Sequence, residues 1–134
     1  NIMANPNIAG SSTTIYGVTT YLTPSATTAV VLLPNAASSG TVMKINQIVA
    51  ANVSGSAAVN TTVSIYTNGA VAQGSAPSSG TAYPIASTVS VPVGASLIVV
   101  DKTSALYLME GTSITVTSGT ASGITYSISY ELIA

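Results

Sequence analysis

The sequence contains no cysteine, histidine, tryptophan or phenylalanine, and only five of its 134 residues carry a formal charge: Lys44, Lys102, Asp101, Glu110 and Glu131. Without His or Cys there is no thiolate nucleophile, no Ser–His relay, no imidazole metal site and no disulfide. Two cations cannot supply the several phosphate contacts on which nucleic-acid affinity rests, so no nucleic-acid partner is expected. The longest apolar runs, Ala29–Leu33 and Leu97–Val100, are strand-sized. They fall far short of the ~20 residues that span a bilayer, and no membrane partner is expected either. The first residues have neither a basic n-region nor an apolar h-region and do not read as a secretory signal. Missing cysteine fits any redox compartment and places the protein in none.

What is present is a hydroxyl-rich, aliphatic chain. Ser and Thr make up 39 of 134 residues and Leu, Ile and Val another 34. That aliphatic share exceeds the roughly 20% below which chains tend to disorder, and the length suits one domain. The formal net charge is −1, where small free domains tend to carry a magnitude of about 2–8, because near-neutral surfaces associate. A surface solvated by hydroxyls and amides suits a protein packed against copies of itself, and a homo-oligomer is expected.

No segment has a convincing helical period. Thr, Val and Ile recur throughout, and such β-branched residues fit a pleated sheet. Ile124, Tyr126, Ile128, Tyr130 and Leu132 alternate with polar residues, as in a half-buried strand. Val59, Thr61, Val63 and Ile65 alternate with Asn60, Thr62 and Ser64, and Ile114 and Val116 with Thr115 and Thr117. In Thr41–Val53 the spacing puts Met43, Ile45, Val49 and Val53 on one face and Lys44, Asn46 and Asn52 on the other, with Ile48 breaking the polar side. Pro34-Asn35, Ser54-Gly55, Asn68-Gly69, Val93-Gly94, Glu110-Gly111 and Ser122-Gly123 read as turns. Asn68-Gly69 is a candidate tight hairpin, and Gln73–Thr81 a surface insertion. About eight strands at this spacing predict an all-β fold, a single antiparallel β-sandwich of jelly-roll or immunoglobulin-like type over residues 13–134. Residues 1–12 read as an extended N-terminal arm that can lie on a neighbour's sheet edge.

The chemistry open to such a chain is narrow. Asp101, Glu110 and Glu131 are the only candidates for a carboxylate acid–base pair. Asp101 and Glu110 sit at turns, where solvated charges are ordinary, and three scattered acids make a poor calcium site. No catalytic residue, cofactor or metal is expected. Asn52-Val53-Ser54 and Asn60-Thr61-Thr62 match the glycosylation pattern, as chance allows in a Ser/Thr-rich chain. The seven tyrosines are the remaining source of specificity, since Tyr joins an apolar face to a hydrogen-bonding tip. Core packing is expected to take most of them and an interface two or three. Tyr126 and Tyr130, which share a face with Ile128, are expected in the core or an interface, while Tyr83 is expected to be exposed. The candidate interface residues are Asn5, Pro6 and Ile8 on the arm together with Tyr16, Tyr21 and Tyr83.

Several runs are similar to those of small virion structural proteins, capsid-decoration-like, of tailed cyanophages and related marine phages. Met3-Ala4-Asn5-Pro6-Asn7-Ile8 resembles the opening of that family. Lys44–Val53 resembles its long strand with an Ala-Asn-Val ending, and Ser90–Lys102 its Ser-Val-Pro segment leading into an apolar strand. Tyr107-Leu108-Met109-Glu110-Gly111 and Ser127-Ile128-Ser129-Tyr130-Glu131 resemble its last two landmarks, in the same order. Two features depart from the pattern: Met109 and Thr112 stand where acids are common, and Gln73–Thr81 is longer and richer in Gly and Ser.

The resemblance implies a β-sandwich virion component without catalytic residues. The expectation is a capsid decoration or cement protein on the outer surface of a tailed-phage head. Its partners would be the major capsid protein and its own copies, with a trimer as a natural form. The alternatives are a tail, neck or fibre subunit that stacks host glycans on exposed Tyr, and a cell-surface filament subunit.

Overall fold

The computed structural model describes residues 14–104 and 106–134. The expected arm, with Asn5, Pro6 and Ile8, lies outside the described residues. Among those described there are nine strands and no α-helix. They are β1 (Ile15–Leu22), β2 (Val30–Asn35), β3 (Val42–Asn52), β4 (Val59–Tyr66), β5 (Ala82–Val91), β6 (Ser96–Val100), β7 (Leu106–Leu108), β8 (Thr112–Ser118) and β9 (Ile124–Ile133). Sheet A has the order β1-β9-β3-β6, with β7 also paired to β3, and sheet B the order β2-β8-β4-β5. Every pairing is antiparallel.

The pairs β1–β9, β2–β8, β3–β6/β7 and β4–β5 nest inside one another along the chain. The chain is therefore one long antiparallel ribbon whose tip is the β4–β5 connection, rolled so that alternate pairs fall in opposite sheets. That is a jelly roll, which decides between the two predicted topologies. The expected count of eight becomes nine because the strand opposite β3 is interrupted by a 3₁₀ turn at Lys102–Ser104, leaving β6 and β7 as its two pieces.

The core lies between the sheets and includes Leu32, Ile45, Ile48, Ile114, Tyr126 and Ile128, all fully buried. Each such side chain contributes roughly 1.5–3 kcal/mol through removal from water. Four readings of the pattern are corrected. In β3 the register against β9 slips between Ile45 and Gln47. Asn46 is thus an extra, bulged residue that inverts the phase. Ile48, Ala50 and Asn52 follow Ile45 into the interior, while Val49 is half-buried and Val53 exposed. In β4, Ser64 and Tyr66 are buried and Ile65 only partly so, because β4 is covered on both faces. Finally, Asn68-Gly69 forms no two-residue hairpin, and Pro34-Asn35 closes β2 instead of forming a turn.

The cover on the outside of β4 is the 67–81 connection, which is a strap. Ser113 Oγ of β8 donates to Asn68 O at 2.9 Å. At the free edge of β2, Val31 N donates to Ser75 O at 2.9 Å and Gly74 N to Val31 O at 2.8 Å. Gln73 Nε2 donates to Leu32 O and to Thr20 Oγ1 of β1, both at 3.0 Å. The return leg passes over Tyr66, whose hydroxyl accepts from Gly80 N at 3.0 Å. Gly69 is buried, and a Cβ there would lie 2.0 Å from Asn35 O and 2.6 Å from Thr112 O. Only glycine lets the strap approach the sheet this closely.

Candidate interaction surfaces

Among the described residues there is no pocket and no cluster of three or more metal-ligating side chains. Each carboxylate has a separate local task. Asp101 closes the 3₁₀ turn: its Oδ1 accepts from Thr103 Oγ1 at 2.6 Å, Thr103 N at 3.0 Å and Ser104 N at 3.1 Å. The Thr103 hydroxyl foremost holds its carboxyl below the usual aspartate range. Glu110 Oε2 accepts from Gly40 N at 2.6 Å, joining the β7–β8 turn to the β2–β3 loop. Glu131, on the outer face of sheet A, stands beside Lys44 in the register and accepts from Asn46 Nδ2 at 3.4 Å.

Two buried asparagines, unremarked as structural groups in the sequence pattern, tie loops to the sandwich. Asn35 Nδ2 donates to Leu108 O at 3.0 Å and Thr41 O at 3.2 Å. Asn52 Nδ2 donates to Ala57 O and Val91 O, both at 2.9 Å. Asn52 heads one glycosylation pattern, and in the folded chain its amide is buried and fully used. The only signal in the sequence was Asn beside a turn, which is shared by many exposed asparagines.

The tyrosines divide by placement. Tyr126 is fully buried; it donates to Thr117 O at 2.9 Å and is hydrogen-bonded to the Thr61 hydroxyl. Burial pushes its hydroxyl up to about 12 and also raises that of half-buried Tyr130. Tyr66 is buried beneath the strap. Tyr16, Tyr21, Tyr83 and Tyr107 are exposed, so the core between the sheets takes Tyr126, with Tyr130 packed against it, and not most of the seven. Tyr83 is exposed, as expected.

The candidate residues Tyr16, Tyr21 and Tyr83 do not form one patch. Tyr21 lies on the outer face of sheet A, in register with Ser127, whereas Tyr16 pairs with Leu132 on the opposite face of the same strand. Tyr83 is on β5, an edge of sheet B. On the outer face of sheet A, Tyr21 shares a row with Ser127, Val49 and Ile98, and Tyr107 lies beside Lys44. Between them the face is built of short hydroxyls, with Thr19 and Ser129 joined at 2.9 Å and Thr23 and Thr125 at 2.8 Å. It is a nearly neutral surface without a pocket among the described residues, suited to packing against another protein surface. No family model, curated protein or solved structure matches this chain.

Proposed function

We propose that this chain is a virion structural protein, a decoration subunit bound as oligomers to the outer surface of a tailed-phage head. The observation that carries the reading is a jelly-roll sandwich with a hydroxyl-rich, nearly uncharged outer sheet face. Jelly rolls serve in viral shells, in lectins and in cupins, so the fold by itself does not choose. The absence of histidine from the sequence removes the imidazole ligands of a cupin site. The order of the sequence landmarks supports the phage assignment. The major coat protein is the proposed partner, held through Tyr, aliphatic and backbone contacts.

Mass spectrometry of purified particles, with a labelled copy located by electron microscopy, tests this reading. The chain is expected on the head. Because few charges take part, it should stay bound through a wash at about 1 M salt, where the screening length is only ~3 Å. Shedding as salt rises, or absence from particles, overturns the proposal. A second reading, a glycan-binding tail or fibre subunit, draws on the four exposed tyrosines, since aromatic faces stack on apolar surfaces. Label on the tail, with retention on host polysaccharide abolished by Tyr83→Ala, supports that reading instead.

A further inference from the structure

A sandwich has four sheet edges, and here they are treated differently. The edge of β2 is occupied by Gly74 and Ser75 of the strap. The β5 edge carries Pro84, two register shifts and a left-handed Thr88, devices that discourage pairing. The β6 edge is five residues long, shifts register at Ile48/Val49 and is followed directly by Asp101 and Lys102. β1 has none of these. Its sequence, IYGVTTYL, holds no proline and no charge, and its register against β9 is unbroken from Ile15 to Leu22. Among the described residues its only ladder partner is β9.

The direction of its free hydrogen-bonding groups follows from the ladder. Thr14 and Ala134 exchange both backbone bonds, at 2.8 and 2.9 Å. In an antiparallel pair the bonded positions alternate, so the even residues of β1 face β9. Ile15, Gly17, Thr19 and Tyr21 therefore point their N–H and C=O groups outward.

We propose that β1 docks on β1 of a second copy, antiparallel about a two-fold axis through Thr19, joining the two A sheets into one continuous sheet. Outer face must meet outer face in such a sheet, which restricts the register to odd residues opposite odd residues. Among these, centring on Thr19 sets Gly17 opposite Tyr21 of the other copy, twice. Nothing lies within 4 Å of a Cβ built on Gly17, and among the described residues Tyr21 is the most exposed large apolar side chain, at 72%. An aromatic ring laid over an edge glycine fills the gap that the missing side chain leaves. Val18 then faces Thr20, Tyr16 faces Leu22, and about six backbone hydrogen bonds form across the axis. Each copy has one such edge, so pairing closes at two and does not run on into a filament.

This inference is independent of the virion reading and is tested in solution with the full chain. Sedimentation equilibrium is expected to give twice the 13.2 kDa chain mass. Thr19→Lys sets like charges opposite each other on the axis and is expected to weaken association about tenfold or more, with an unchanged circular dichroism spectrum. Tyr21→Ala is expected to weaken it similarly. The sequence has no cysteine, so Thr19→Cys should form a disulfide-linked dimer on oxidation, whereas Val18→Cys should not. A monomer at all concentrations, a trimer, or a dimer indifferent to Thr19→Lys overturns the proposal. Crosslinking through Val18→Cys but not Thr19→Cys overturns the Gly17–Tyr21 register.

Discussion

Ser113 and Thr115 on β8 and Ser127 and Ser129 on β9 occupy alternate, outward positions on the two sheets. The first pair is buried and the second half-exposed. Their side chains are nearly the same; their cover is not. On sheet B the strap lies over β8, and Ser113 is consumed in holding it. On sheet A Ser129 bonds laterally to Thr19 of β1 and the face stays open. A hydroxyl at an outward strand position is thus compatible with either state, because it satisfies itself within the fold or with water. What decides is whether another segment crosses the face, and that segment has to be able to come close.

The largest expected effect breaks this comparison at its tightest point. Gly69→Ala forces a methyl into two backbone carbonyls and should cost about 3 kcal/mol, read as a fall in the chemical denaturation midpoint. The same substitution at Gly17 on sheet A, where a Cβ meets nothing, should cost nothing measurable in the fold of the single chain.

The inner layer between the two faces has its own signature at high pH. The Tyr126 hydroxyl titrates at about 12 in the folded chain and near 10 when unfolded. Above pH 10 the unfolded state releases its proton first. The stability from this group is therefore complete below pH 10 and is lost between 10 and 12, about 2–3 kcal/mol in all. Tyr126→Phe should remove that part of the pH dependence, at a cost near neutrality of about 1–2 kcal/mol for the lost bonds to Thr61 and Thr117.

A matched pair of substitutions sharpens the contrast directly. Ser113→Val should destabilise by about 2 kcal/mol, through the lost bond to Asn68 O and crowding under the strap. Ser129→Val on the open face should stay within about 0.5 kcal/mol. The smallest effect is that of Gln73→Ala, about 1 kcal/mol. It removes the strap's side-chain bonds to β1 and to Leu32 of β2 while the backbone bonds at Val31 remain, and limited proteolysis should then cut within residues 70–76 sooner than in the parent chain.

The strands at Ile124–Ile133, Val59–Tyr66 and Thr112–Ser118 were legible because a period of two survives wherever a strand keeps one phase. The bulge at Asn46 was not legible: it adds one residue, and only the partner strand β9 reveals the slip. Nor was the strap, since Gly-, Ser- and Pro-rich composition reads the same in a free loop and in one bound to a sheet by its backbone. Among the candidate interface residues, the exposure of Tyr83 followed from its place beside a loop. Tyr16 and Tyr21 are exposed because β1 is an edge strand, which depends on strand order in space.

By itself the sequence determined an all-β sandwich, the exclusion of thiol and imidazole chemistry, and a surface with little charge. Those follow from composition and local periodicity, which need no knowledge of neighbours. The tertiary structure decided the jelly-roll order, the burial of Asn35, Asn52 and Ser113, and, among the described residues, the difference between one sheet edge without guarding features and three guarded ones. Each of these depends on residues far apart in the chain meeting in space, and no local pattern encodes such a meeting.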